Sequence, residues 1–177
     1  MASWDADAET MHPIDFRLVQ NTFVTMYWRS SLLGETVHWL RSKSYEVAEF
    51  DAGSWTSAAG MFDDLAERLQ FPGYFGRNLD ALNDCMRDVA SHEYGWHADA
   101  TGLVIVLSAF DAFAAVDRRT AQIMLNIFAD QARSAILFGN RIICLVQSND
   151  PQLSSEPVGA MPVMWNDAEL LNSSRGL

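Results

Sequence analysis

Two short apolar runs constrain the fold of this chain more than any other feature. Residues 103–107 read LVIVL and residues 142–146 read IICLV, and no charged side chain interrupts either run. Gly102 and Ser108 bound the first of them. Continuous apolar runs of this length are typical of strands that are buried on both faces, as in parallel sheets. We therefore expect both segments to lie inside a sheet.

The segment between these runs predicts a long helix over residues 118–138. Asp117 is a good N-cap residue, and Gly139 suits the position just after the helix. Its apolar residues recur at helical spacing, at Ala121, Met124, Ile127, Phe128 and Ala135. A helix that joins two neighbouring strands predicts a right-handed crossover, which places the strands parallel.

The rest of the chain continues this alternation of strands and helices. Further strands are predicted at 23–28 and 45–51, and further helices at 32–43, 57–70, 78–90 and 109–115. The predicted fold class is therefore α/β, with a small parallel sheet of three to four strands packed with helices. A length of 177 residues suits one domain. We expect a polar lead-in over 1–20, the α/β domain over 21–147 and an irregular strap over 148–177.

The charge balance indicates which partners this chain can take. The formal net charge is −11 at pH 7, and such a protein repels nucleic-acid phosphates and anionic lipids. We expect a cationic protein partner, no direct nucleic-acid binding and no membrane association. The acidic first residues do not resemble a signal peptide, and Cys85 and Cys144 are expected to be buried free thiols. These features favour a cytoplasmic location.

The stretch FPGYFGRNLDALNDC, residues 71–85, holds the strongest candidate site. In a helix that begins after Asn78, a good N-cap, the carboxylates of Asp80, Asp84 and Asp88 form a column on one face. They could meet a cationic partner or perform acid–base chemistry. Alternatively, Asp80 only complements the helix dipole and Asp84 is simply solvated, and Asp88 is expected to be ordinary surface.

The loop before this helix favours a binding role for the acidic column. Gly73 and Gly76 allow close backbone approach or a positive φ, and Tyr74 and Phe75 lie between them. Both rings cannot easily point inward in so tight a segment, so one is expected to be exposed; the alternative is that both plug the base of the sheet. An exposed aromatic side chain beside carboxylates is typical of a binding hot spot.

An enzyme is the less favoured interpretation, as is a metal site. Asp80 and Asp84 could serve a carboxylate-dependent hydrolase, but no nucleophile elbow or phosphate-binding loop accompanies them. The donors between His92 and Asp99 match no zinc or calcium spacing. We therefore expect no catalytic residues, no metal and no cofactor.

The pattern PGYFGRNLDALNDC closely resembles the barstar family, whose members are intracellular inhibitors of secreted, barnase-type microbial ribonucleases. The resemblance extends more loosely over about 45–147, leaving 21–44 as an N-terminal extension. It implies that the loop and acidic helix enter the ribonuclease active site, where carboxylates replace RNA phosphates and Asp84 is the central plug. The partner-binding residues expected on this basis are Tyr74, Gly76, Asn78, Asp80, Asn83, Asp84, Arg87 and, on the long helix, Asp130.

Three features of this sequence depart from the best-known family pattern. Gly73 and Asn83 stand where bulkier or charged residues are expected, and Arg87 places a positive charge near the acidic face. These departures support a second hypothesis, in which the chain is a barstar-like interaction module that binds another cationic protein in a regulatory role.

Overall fold

The computed structural model describes residues 12–177, which form an α/β fold around one parallel sheet. The sheet has five strands in the order β2-β3-β4-β1-β5, and every neighbouring pair is parallel. The strands are β1 (Val24–Tyr27), β2 (Glu46–Asp51), β3 (Leu103–Ser108), β4 (Ile142–Gln147) and β5 (Met164–Trp165). The predicted fold class is confirmed, with one strand more than expected.

Helices cover both faces of this sheet. They are α1 (Ile14–Gln20), α2 (Ser30–Ser42), α3 (Ala58–Arg68), α4 (Leu79–Ala90), α5 (Phe110–Val116) and α6 (Arg118–Leu137). One apolar cluster joins α1 and α2 to the sheet, and a larger cluster joins α3, α4, α5 and α6 to its other face. In β3, Val104 and Val106 belong to the first cluster and Ile105 and Leu107 to the second, as expected for a strand buried on both sides.

Two elements were not predicted from the sequence. β5 contains only two residues, and its existence depends on pairing with β1, where Met164 lies beside Thr25 and Trp165 beside Met26. α1 falls within the predicted polar lead-in, and Leu18 is its only buried residue. Elements this short carry too little periodicity to be recognised without their packing partners. The remainder of the lead-in, residues 1–11, lies outside the described residues.

The helix boundaries follow the predicted capping residues in most cases. Asn78 and Asp117 cap α4 and α6 by accepting hydrogen bonds from the amides of Ala81 and Thr120. Gly139 takes a φ of 79° after α6, as predicted. The helix predicted over 57–70 ends earlier, at Arg68, because Gln70 adopts a positive φ of 56°.

The N-terminus of α2 depends on a carboxylate from the C-terminal segment. The Glu169 side chain is fully buried and accepts hydrogen bonds from the backbone amides of Trp28, at 2.8 Å, and Arg29, at 2.9 Å. It also pairs with the Arg29 guanidinium at 2.9 Å. Ser30 and Ser31 are good capping residues by type, but no side chain at the start of α2 provides a cap. A buried carboxylate that accepts several charge-assisted hydrogen bonds is held in one position, because moving it would leave its charge uncompensated.

Arg175 fixes the same C-terminal segment. Its side chain donates to the carbonyl oxygens of Pro151, Glu169 and Leu170, and its guanidinium lies 4.5 Å from the centroid of the Trp165 ring. The strap after β4 is therefore irregular in secondary structure but closely attached to the edge of the sheet.

Both cysteines are free and buried, as predicted. Burial raises the pKa of each thiol, which leaves both in the unreactive protonated form at neutral pH. Among the described residues, no helix has the length and apolar character needed to cross a membrane.

The Glu169 contacts predict that Glu169→Gln destabilises the fold. Burial raises the pKa of this carboxyl, but the hydrogen bonds from Trp28 and Arg29 outweigh burial and lower its pKa below the ordinary value. The charged form therefore adds stability at neutral pH, and this stability is lost as the pH falls through the folded pKa. We expect Glu169→Gln to lower the free energy of unfolding by about 2 kcal/mol at pH 7, measured by urea titration.

Glu49→Gln is the matched control for this substitution. Glu49 also pairs with an arginine, Arg41, but both side chains are about half exposed, and such pairs contribute about 0–1 kcal/mol. Equal destabilisation by the two variants, or a Glu169→Gln protein as stable as the wild type at pH 7, would contradict the proposed role of the buried carboxylate.

Candidate protein-binding site

The candidate site is built on α4, whose two faces differ sharply. Asn78 precedes the helix and its Oδ1 atom accepts a hydrogen bond of 2.8 Å from the Ala81 amide, which fixes where the helix begins. The inner face packs into the core through Leu82, Cys85, Met86, Val89 and Ala90. The opposite face is left to solvent and carries the aspartate column.

The loop before α4 separates its two aromatic residues as the sequence analysis expected. The Tyr74 side chain is exposed, at 83% of its full accessibility, whereas Phe75 is buried at 7%. The Phe75 ring makes edge-on contacts with Phe71 and Phe62, with centroids 5.0 Å and 6.0 Å apart. The alternative in which both rings plug the base of the sheet is therefore wrong. Tyr74 is an exposed aromatic ring on a loop that Phe75 anchors.

Local bonds hold this loop in place. The Phe75 amide donates to the Pro72 carbonyl at 2.9 Å, and the Arg77 side chain donates to Asp63 of α3 at 2.6 Å. Neither Gly73 nor Gly76 needs a positive φ; Arg77 adopts one instead, at 47°. A Cβ atom at Gly76 would lie 3.0 Å from Asn78 Nδ2, so this glycine permits the close turn into the helix.

The three aspartates of the column have different environments. Asp80 is exposed and makes no hydrogen bond or ion pair with other described residues. Asp84 is also exposed, at 68% of its side chain, and pairs with Arg87 at 3.0 Å on the same helix. Asp88 is partly buried and accepts a hydrogen bond of 3.3 Å from the Tyr94 hydroxyl. Asp80, which has no partner among the described residues, thus lies in the turn of α4 that adjoins the loop.

The Asp84–Arg87 pair reduces the charge of this surface without removing the site. Both side chains are mostly exposed, and ion pairs of this kind contribute about 0–1 kcal/mol in water. A partner that supplies a better placed guanidinium or ammonium group can therefore replace Arg87. Arg87 therefore competes only weakly with a partner's cationic group for the Asp84 carboxylate.

Asn83 and Asp130 occupy different surroundings from the aspartate column. Asn83 Oδ1 accepts a hydrogen bond of 2.9 Å from Gln131 of α6, and Gln131 Oε1 is buried without a partner among the described residues. Asp130 accepts from Asn126 at 3.3 Å and lies 3.9 Å from Arg133, both on its own helix. A Cβ atom at Gly159 would lie 2.7 Å from Asp130 Oδ1, so Asp130 faces the C-terminal strap.

The structure places most of the predicted site residues on the loop and α4, and one of them, Asp130, on α6, which packs against α4. Tyr74, Gly76, Asn78, Asp80, Asn83, Asp84 and Arg87 all belong to the loop and α4, whereas the polar contacts of Asp130 lie elsewhere on α6. Gln131 was missed by the sequence analysis. A single glutamine on a long helix gives no signal, because only helix packing places it against Asn83.

No cluster of three or more potential metal ligands occurs among residues 12–177. Two cavities have volumes of about 680 Å³ and about 350 Å³, and neither is lined by Asp80 or Asp84. Asp80 and Asp84 therefore lie on an exposed surface outside both cavities, where a protein partner can reach them.

Comparison with known proteins agrees with this arrangement. The family model described as "Barstar (barnase inhibitor)" matches residues 45–147, more than half of the chain. The chain therefore belongs to the barstar family. It is also similar to a Bacillus subtilis (strain 168) protein named "Putative ribonuclease inhibitor YrdF", with 62% identity over 26 residues. This similarity covers 15% of the chain and 29% of that relative's length.

The N-cap of α4 predicts a measurable effect of Asn78→Ala. Removing the side-chain oxygen leaves the Ala81 amide without its acceptor, which we expect to cost about 1 kcal/mol of stability. Hydrogen exchange should show faster exchange of the Ala81 amide. Asn78→Asp, which keeps an acceptor at the same place, serves as the control. Unchanged exchange at Ala81 in the alanine variant would contradict the assigned cap.

Proposed function

We propose that this chain is a non-enzymatic, cytoplasmic inhibitor of a barnase-type microbial ribonuclease, and that α4 with its preceding loop fills the enzyme's active site. The observation that carries this proposal is the simultaneous exposure of Tyr74, Asp80 and Asp84 on the loop and α4 of a barstar-family fold. The name of the Bacillus subtilis relative supports the same class of partner.

The chemistry of RNA cleavage explains why carboxylates suit this role. A ribonuclease must collect arginine, lysine and histidine side chains to hold phosphates, so its active site is a positively charged cleft. Carboxylates can occupy the phosphate positions through charge-assisted hydrogen bonds, and they offer no phosphodiester bond for the enzyme to cleave. An inhibitor that presents them in a fixed helix therefore blocks RNA without becoming a substrate.

The overall charge of the chain supports fast association with such a partner. A formal charge of −11 creates a long-range attraction for a basic protein, and this attraction weakens with increasing ionic strength. Contacts that are desolvated at the interface, by contrast, control dissociation. We therefore assign steering to the whole acidic surface and tight binding to the few residues at its centre.

The proposed roles follow from the environment of each residue. Asp84 is the central carboxylate, Asp80 is an exposed carboxylate one turn away, and Tyr74 is the aromatic anchor. Gly76 and Asn78 shape the loop and begin the helix that carry these groups. In this proposal Asn83 contributes an amide held by Gln131. Arg87 and Asp130 lie at the margin of the contact surface.

Asp84→Ala should weaken ribonuclease inhibition much more than Asp88→Ala. Truncation of a charged residue at the centre of an interface leaves the partner's cationic group buried without a counter-charge, which typically costs about 2–5 kcal/mol. We expect the inhibition constant to rise at least about 30-fold for Asp84→Ala, measured by following RNA cleavage while the enzyme is titrated.

Asp88→Ala is the internal control for this prediction, because Asp88 lies on the same helix but is engaged by Tyr94. We expect a change of less than about threefold, consistent with an exposed or peripheral charge. Equal losses for the two variants would show that the central carboxylate has been assigned wrongly.

Arg87→Ala should strengthen inhibition. The substitution removes the internal competitor of Asp84 and makes the surface more negative, so both association and final contacts improve. We expect an association rate constant about two- to fivefold higher at low salt, with the difference shrinking as salt is added. Stopped-flow measurements over a salt series check this. A slower association in the variant would mean that Arg87 itself contacts the partner favourably.

A second candidate function is the binding of another cationic protein in a regulatory role. The observation that favours it is the departure of this chain from the family pattern at Gly73, Asn83 and Arg87, residues of the loop and helix that the partner would contact. Affinity capture from the native cell, followed by RNA-cleavage assays of each captured protein, distinguishes the two. A captured basic protein without ribonuclease activity, whose binding is lost in Asp84→Ala, would favour this second function.

A further inference from the structure

A large cleft lies on the opposite face of the sheet from α4. It has a volume of about 680 Å³ and is enclosed by α1, α2, the outer part of β1 and the segment from Met164 to Ala168. This volume falls in the range of small-molecule sites, about 300–1,000 Å³. Arg17 of α1 donates to Asp167 Oδ2 from Nη2 at 2.6 Å and from Nε at 3.1 Å, which ties two walls of the cleft together.

Every residue that lines this cleft lies outside residues 45–147, the part of the chain that matches the barstar family. The N-terminal helices supply two walls and the C-terminal segment supplies the third. The cleft is therefore a product of the two extensions acting together. It has no part in the surface proposed for ribonuclease binding.

The floor of the cleft contains hydroxyl groups that are available to a ligand. Thr25 of β1 is buried at 5% of its full accessibility, and its hydroxyl makes no hydrogen bond to any other described residue. Beyond it, the Tyr27 hydroxyl donates to Thr36 Oγ1 at 3.1 Å. Burial raises the Tyr27 pKa to about 12, which keeps the phenol neutral at physiological pH. Among the described residues, Gln131 Oε1 is the fully buried side-chain polar atom without a partner, so the Thr25 hydroxyl is instead accessible from the cleft and can bond to a ligand there.

The walls of the cleft suit a flat aromatic body. Trp39 of α2 and Met164 of β5 both line it and are partly buried. Met164 pairs with Thr25 in the sheet register, so the two side chains lie on the same side of the sheet. Thioether and indole groups both pack favourably against aromatic rings.

The charges around the cleft argue against an anionic ligand. The guanidinium of Arg17 is already paired with Asp167, and Glu35 adds an unpaired carboxylate among the lining residues. The chain as a whole carries −11, which repels further negative charge.

We propose that this cleft binds a small, uncharged aromatic molecule that carries a hydroxyl, amide or amino group. The ring packs against Trp39 and Met164, and the polar group completes the hydrogen bonding of Thr25. This site is independent of the proposed ribonuclease inhibition, since the two surfaces lie on opposite faces of the sheet.

Titration of the ¹⁵N-labelled full chain with neutral aromatic probes tests this proposal. The neutral aromatic probes are adenosine and nicotinamide. Adenosine 5′-monophosphate is the charged counterpart of adenosine, and cyclohexanol is a non-aromatic comparison compound. We expect saturable shifts at Thr25, Thr36 and the Trp39 indole N–H for at least one neutral aromatic probe. Adenosine 5′-monophosphate should bind at least about fivefold more weakly than adenosine, because of charge repulsion.

Two variants connect the binding to the cleft. Gly34 lines the cleft, and a Cβ atom there meets no other atom within 4 Å, so Gly34→Phe fills the space without displacing the helix. It should abolish probe binding. Gly60→Phe is the matched control, since Gly60 is an exposed glycine of α3, outside the cleft, with its nearest neighbour 3.9 Å from a built Cβ atom. Thr25→Val should weaken binding about fivefold by removing one hydrogen bond.

The results of this experiment test the cleft independently of the proposed inhibitor function. Loss of probe binding in Gly34→Phe, with probe binding kept in Gly60→Phe, supports the proposal whatever the result for ribonuclease inhibition. Equal binding of the probes to Gly34→Phe and wild type overturns it, as does the absence of saturable shifts with both neutral aromatic probes. Equal binding of adenosine and its monophosphate overturns the proposed ligand class.

Discussion

The burial of β3 and β4 on both faces is the constraint on which the other parts of the structure depend. A strand with apolar side chains on both sides needs a helical layer on each side, and parallel strands need long connections to provide these layers. The connection between β2 and β3 carries α3, the aromatic loop and α4, all on one face. The acidic site therefore lies on a crossover segment that the sheet itself requires.

The buried residues of α4 stabilise the fold and also determine which side chains of the helix face solvent. Leu82, Met86 and Val89 are fully buried and fix the rotation of the helix about its axis. Because the helix is pinned by this stripe, Asp80 and Asp84 can only face outward. Phe75 performs the same task for the loop, since its burial leaves Tyr74 exposed. Rigid support of this kind reduces the entropy lost when a partner binds.

Most of the core and of the acidic surface followed from the sequence. The two apolar runs, the caps Asn78 and Asp117 and the spacing of the aspartates are local signals, and the structure agrees with each. The contacts of Asp84 with Arg87 and of Asp88 with Tyr94 required coordinates. So did the orientation of Asp130 toward the strap, because the rotation of α6 about its axis depends on what packs against it.

The sequence by itself determined the class of fold, the buried strands and the face of α4 that carries charge, because these depend on hydrophobic spacing within single elements. Only the tertiary structure decided the role of the two extensions. β5, the Glu169 carboxylate at the start of α2 and the cleft beside Thr25 all join residues more than a hundred positions apart in the chain. Contacts of this kind leave no periodic signal, since each partner is a single residue whose environment is created by folding.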